Sequence, residues 1–185
     1  MKKVPTFHRR DFLKITMGIA AASAFPLDAL AAALRGFDAT RTLSFYNTHT
    51  NEQIKVCYFE QGLYLREGLD KINHVLRDHR TGIIKPIDTE LLDLLFAVKC
   101  RVRPRGPFHV ISGYRSPATN EMLRQNSGGV AKTSFHTKGK AIDIRLPGYN
   151  TAGLRNQCVN IGAGGVGYYS RSDFVHLDVG PVRTW

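Results

Sequence analysis

Two short segments near the end of the chain, KAIDIRL (140–146) and FVHLDV (174–179), alternate apolar and polar residues with a period of two. That period belongs to strands that bury one face. In the first, Ile142 and Ile144 share one face, and Ala141, Asp143 and Arg145 share the other. In the second, Val175, Leu177 and Val179 share one face, and Phe174, His176 and Asp178 share the other. If the two strands are neighbours with their apolar faces buried together, Asp143 and His176 stand on one polar face. The stretch SFHTKGKAID (134–143) adds a third group. His136 precedes the first strand, on a loop that Gly139 makes pliable, and can fold over that face.

Two imidazoles and one carboxylate with a fourth position open are the ligand set of a catalytic zinc site. Zn²⁺ suits nitrogen and oxygen donors in a tetrahedron. It polarises a carbonyl and makes hydroxide available near neutral pH. On spacing alone, the competing account is a polar loop running into a strand.

The rest of the chain reads as α+β, a single domain with an antiparallel sheet and helices packed to its side. TLSFYN (42–47) and QIKVCYFE (53–60) are strands around a polar turn. Leu65, Leu69, Ile72 and Leu76 set a helix over roughly 63–80. Asp88 caps a strongly apolar core helix, about 88–102, which RPRGP (103–107) stops. FHVIS (108–112) is a strand. Ser116 and Pro117 open a short helix to about Gln125. Thr151 to Ile161 is a helix ended by Gly162, and GVGYY (165–169) pairs with FVHLDV as a hairpin. Cys57, Cys100 and Cys158 are far apart and lack C-x-x-C spacing, which excludes a zinc knuckle. One disulfide is compatible with an oxidising compartment, and buried thiols are the expected state for most of them.

The N-terminus bears on the compartment. A basic start, a short apolar run from Ile15 to Phe25 and the small-residue site Ala29-Leu30-Ala31 form an export signal over residues 1–31. Arg9-Arg10-Asp11-Phe12-Leu13-Lys14 resembles the twin-arginine pattern, with His8 where Ser or Thr is usual. The apolar run is too short for a comfortable membrane span, so no stable span is expected after cleavage. The alternative is an uncleaved basic, amphipathic start that leaves the chain on the inner membrane. Residues 32–41 read as a tether and 42–185 as the folded domain. The chain carries 26 Lys+Arg against 15 Asp+Glu, a net +11. Without residues 1–31, 21 basic and 13 acidic residues remain, about +8. This balance favours an anionic partner such as a membrane surface or a cell-wall polymer. The aromatic–basic interleaving that stacks bases is not evident, so nucleic acid is not expected.

SFHTKGKAID fits the pattern S-x-H-x-x-G-x-A-x-D at Ser134, His136, Gly139, Ala141 and Asp143. With SGYRS and the late VHLD, it resembles the D-Ala-D-Ala metallopeptidase group, whose zinc site is shared with lysostaphin and the hedgehog signalling domain. INHVLRDHR, ISGYRS, GGVGYY and FVHLDVGPVRTW extend the likeness over nearly the whole chain, and bring it closest to the M15-type murein endopeptidases. The resemblance implies a periplasmic peptidase with one Zn²⁺ per chain on His136, Asp143 and His176. Its substrate would be peptidoglycan stem peptides, cut at their L,D diaminopimelate cross-links and also at D,D links from D-Ala. It implies that Arg115 faces the substrate carbonyl, where a fixed cation steadies an oxyanion or holds a carboxylate. Dipeptidase relatives carry a glutamate base three residues before the last histidine, where this chain has Asp173. Lysostaphin-like relatives carry a histidine two residues before it, where this chain has Phe174. Asp173 is therefore the candidate base, against the plain reading of a turn aspartate bonded to backbone. Ser134 is a candidate for substrate contact or loop support, and Asp178 for a partner of His176. Tyr114, Tyr168 and Tyr169 are candidates for cleft walls or for the core. A zinc-bearing wall-binding module without catalysis and a D,D-carboxypeptidase are the alternatives.

Overall fold

A computed structural model describes residues 29–30, 40–126 and 130–185. The twin-arginine motif, the apolar run, Ala31 and tether residues 32–39 lie outside the described residues. Leu30, inside the small-residue site, is buried in the core, so cleavage after Ala31 would remove a packed side chain. Among the described residues no helix is long and apolar enough to cross a membrane.

The strands are β1 (Thr40–Asn47), β2 (Gln53–Glu60), β3 (Leu63–Tyr64), β4 (Phe108–Ser112), β5 (Ala141–Arg145), β6 (Gly165–Tyr169), β7 (Phe174–Asp178) and β8 (Arg183–Thr184). They form one sheet in the order β3-β2-β1-β4-β5-β7-β6-β8. The sheet is mixed and not antiparallel throughout: β1 runs parallel to β4, and β6 parallel to β8. The helical segment between β3 and β4 allows the first of these pairings, because parallel neighbours need a long crossover.

The helices are α1 (Arg66–Val75), α2 (Thr89–Val102), α3 (Pro117–Asn126) and α4 (Thr151–Ile161). Asp88 caps α2 by accepting from the Glu90 N–H at 2.9 Å. Ser116 Oγ accepts from the Thr119 N–H at the start of α3. The left-handed Gly162 ends α4. Leu91, Leu92, Leu95 and Val98 of α2 and Leu154 and Cys158 of α4 join one core with Leu43, Phe45, Phe108, Ile142, Ile144, Val175 and Leu177 of the sheet. Alternation therefore sorts side chains as expected. The apolar set faces the helices, and the Asp143–His176 set faces the other way.

Two local readings change. Thr40 and Arg41 belong to β1 and not to a tether, and the Arg41 guanidinium lies 2.6 Å from Asp93 in the α2 wall. The helix expected over 63–80 begins after the two-residue β3 and stops at Val75. Its end comes early because the Asp78 carboxylate accepts from the backbone N–H groups of Arg80 and Thr81, which favours a turn over helix. Cys57, Cys100 and Cys158 are free thiols, as expected, but only Cys158 is buried, and burial pushes its thiol up to about 12.

Candidate metal centre

In the β5–β7 ladder Asp143 stands directly opposite His176. Directly opposed residues share a face. His136 arrives on a 3₁₀ turn, Phe135–Lys138, capped by Ser134, whose Oγ accepts from the His136 N–H. The turn closes at Gly139, with φ +69°, in the left-handed region that glycine adopts freely. A Cβ there would stand 2.4 Å from the Pro86 carbonyl oxygen. Gly139 is thus a tightly packed stop, not the pliable joint expected from sequence. The Asp88 N–H, 2.9 Å from the Gly139 carbonyl, ties the turn to the start of α2.

The three side chains meet. His176 Nδ1 is 2.8 Å from Asp143 Oδ1, and His136 Nε2 is 3.2 Å from each of those two atoms. All three residues are buried. The far nitrogen of each ring is engaged elsewhere: His136 Nδ1–H donates to the Gly113 carbonyl at 2.8 Å, and His176 Nε2–H donates to Asp178 Oδ2 at 2.9 Å. A hydrogen bond at one ring nitrogen leaves the other with its lone pair. Two imidazole lone pairs and a carboxylate oxygen therefore point at one another, an arrangement that needs positive charge between them. Donors 2.0–2.1 Å from a tetrahedral Zn²⁺ are separated by about 3.3 Å, close to the spacing seen.

Electrostatics point the same way. Burial pushes Asp143 up, but the two imidazoles outweigh it and hold its carboxyl well below the usual range. Burial lowers His136, which keeps that ring neutral. Burial also opposes charge on His176, yet Asp143 and Asp178 outweigh it and raise that ring. The centre thus has room for one added positive charge, which a proton or a metal ion can supply. Burial raises Asp178 too, but bonds from His176, Arg183 and the Gly180 N–H bring it down to about 2. Arg183 grips both Asp178 oxygens, at 3.0 and 2.6 Å. Asp178 thus bonds the far nitrogen of His176, on the side away from the three converging donors.

Arg115 lines the same cavity, with Nη2 3.6 Å from Asp143 Oδ2. Its Nε is buried without a partner. Its loop is clamped from behind. The Tyr114 N–H donates to the Leu76 carbonyl at 2.8 Å, and the Ser116 N–H donates to Asp78 Oδ2 at 2.8 Å. A Cβ at Gly113 would stand 2.4 Å from the Leu76 carbonyl, so only glycine fits this approach. Burial opposes the Asp78 charge, but bonds from Thr119, Ser116 and nearby backbone hold it well below the usual range. Asp78 was missed in the sequence. Its signal was the INHVLRDHR segment, which carried a resemblance and no assigned chemistry.

The cavity over the triad has a volume of about 620 Å³. Ser134, Phe135, Tyr169, Phe174, Arg183 and Trp185 are among its walls. Trp185, also missed, lies 5.2 Å from the His176 ring and donates from Nε1 to the Tyr169 hydroxyl. Tyr114 is buried in the core, and Tyr168 is exposed outside the lining. Asp173 is not brought to the centre. It occupies the β6–β7 turn with φ +51°, accepts from the Thr151 hydroxyl and lies 3.9 Å from Arg145. Its carboxylate is 61% exposed and absent from the lining. The left-handed turn, which the spacing from His176 did not reveal, aims it at the start of α4.

A family model described as "Peptidoglycan L,D-endopeptidase MepK" matches residues 36–185. The chain is 47% identical over 145 residues to the peptidoglycan L,D-endopeptidase MepK of Escherichia coli K12, covering 78% of this chain and 80% of the relative. It is 38% identical over 146 residues to the probable peptidoglycan L,D-endopeptidase MepK of Haemophilus influenzae, covering 78% of each. No solved structure matched. With the family model spanning residues 36–185 and 47% identity over most of the chain, the protein belongs to the MepK family of M15-type peptidases.

Proposed function

We propose that the protein is a zinc-dependent peptidoglycan endopeptidase that hydrolyses the L,D amide cross-links between stem peptides. The convergence of two imidazole lone pairs and the Asp143 carboxylate beneath an open cavity carries this reading. The activity of these relatives, L,D-endopeptidases, supports the bond type. His136, Asp143 and His176 would hold the ion. Zn²⁺ in such a site supplies Lewis acidity and ionised water near neutral pH.

The protein's own groups do the remaining work. The Gly113 carbonyl and Asp178 fix the two rings, so the donor atoms stay aligned. Arg115 presents a fixed cation to the carbonyl oxygen as negative charge develops there. Phe135, Phe174 and Trp185 exclude water around the peptide and wall its path. No step is assigned to Asp173, because its carboxylate lies outside the cavity. Peptidoglycan lies outside the cytoplasmic membrane, so this activity is extracytoplasmic, and the twin-arginine-type signal would deliver the chain to the periplasm.

The test is muropeptide analysis by chromatography and mass spectrometry. Purified protein is incubated with L,D- and D,D-cross-linked dimers, with added zinc, with chelator, and as His136→Ala. Conversion of L,D dimers to monomers that requires zinc and His136 is the expected result. Release of terminal D-Ala alone would make the protein a carboxypeptidase. Intact dimers with bound zinc and retained wall binding would leave a binding module.

A further inference from the structure

A second cleft lies on the basic turn that follows α2. The segment RVRPRGP (101–107) exposes Arg101, Arg103 and Arg105, and none of the three makes an ion pair among the described residues. Arg103 and Arg105, with His109, Leu146 and Tyr149, line a cavity of about 520 Å³ that contains no acidic side chain. His109 pairs with Arg145 across the β4–β5 ladder. Both stand on the sheet face that carries Asp143, because Val110 and Ile144, the next pair along, are buried in the core. Arg145 is two residues along β5 from Asp143, about 7 Å of strand. Through His109 the cleft borders the end of the face that holds the triad. Burial, then the Arg145 charge, lowers the pKa of His109. Asp173 is the acidic group beside it, 3.9 Å from Arg145.

We propose that this cleft is a second binding site, for free carboxylates of the peptidoglycan stem peptides that run on from the scissile bond. The inference rests on the endopeptidase reading for its choice of ligand. Guanidinium groups match carboxylates in charge and in paired hydrogen-bond geometry. A cross-linked wall offers such groups at intervals. Two arginines at one end of the face and Arg115 at the other hold an anionic peptide along the sheet. Arg103 and Arg105 thus add grip on the wall without entering the chemistry at the metal centre, whereas Arg115 serves both.

The test is sedimentation of full-length protein with intact sacculi at 4 °C, over a range of salt. Arg103→Glu/Arg105→Glu is expected to weaken retention about tenfold, since two exposed charge contacts together amount to that factor. Its retention should also depend less on salt. Sacculi whose carboxylates have been converted to amides by carbodiimide and ammonia should hold the wild type as weakly as native sacculi hold the variant. Circular dichroism should show the same fold in the variant. Undiminished retention of the variant, or full retention of wild type on amidated sacculi, would overturn the proposal. Wild type that is retained through these arginines but releases no muropeptide would instead overturn the endopeptidase reading and leave the cleft standing.

Discussion

Two of the three converging donors stand on strands and the third stands on a turn, and the two regions reach the same point by different physics. Asp143 and His176 are placed by ladder register, with Ile142, Ile144, Val175 and Leu177 pulling the opposite faces into the core. A slip of one residue would turn every one of these side chains to the wrong face. His136 and Arg115 have no ladder to hold them. They depend on contacts from distant loops: Gly139 against Pro86, Tyr114 on Leu76, and Ser116 on Asp78. The strand region is robust because burial enforces it. The loop region can be loosened one hydrogen bond at a time.

Substitutions can sharpen that contrast. Asp143→Ala in the strand pair should abolish metal retention and cut L,D-dimer hydrolysis by about a thousandfold or more, read by elemental analysis and muropeptide release. Arg115→Ala should cost about a hundredfold in kcat while bound metal is unchanged, because its cation serves the developing charge. Asp78→Ala should strand the buried Ser116 N–H, destabilise the fold by about 2 kcal/mol in urea unfolding, and lower kcat through a misplaced Arg115. Metal content at saturating zinc should stay intact. If Asp78→Ala lost the metal and spared the loop, the division between the regions would fail.

Asp78 also carries a pH prediction. Its folded pKa is depressed, so its contribution is present above the ordinary carboxylate range and is lost as pH falls through the folded value. The stability gap between wild type and Asp78→Ala should therefore narrow steadily below about pH 4. The smallest effect should come from Asp173→Ala. Its exposed position predicts less than about a twofold change in hydrolysis. A large loss there would mean that the turn rearranges to bring the carboxylate to the centre.

The strand region was legible in the sequence because period-two alternation is a local signal. It separated Ile142 and Ile144 from Asp143, and Val175 and Leu177 from His176, before any partner was known. The Asp88 cap and the Gly162 stop are local as well, and both stand where the sequence placed them. The parallel pairing of β1 with β4 was not legible, since register across a long crossover leaves no mark within either strand. Asp78 escaped notice because its partner, the Ser116 N–H, lies 38 residues away and belongs to the backbone, which carries no residue identity. Asp173 misled for a related reason. Its spacing from His176 matches a family position, but its left-handed backbone redirects the side chain, and spacing does not encode that. The early end of α1 follows from the same Asp78 turn.

The close of α2 has a consequence for how this protein can be improved. Arg103 sits in the left-handed region, with φ +50°, at a helix end where glycine is the easier residue. Holding a side chain there costs about 1 kcal/mol, partly offset by the lower freedom of a non-glycine residue in the unfolded chain. Arg103→Gly should leave the melting temperature unchanged or raise it slightly, while retention on sacculi falls. A search for thermostable variants that scores only folding would accept this change and discard part of the grip on the wall.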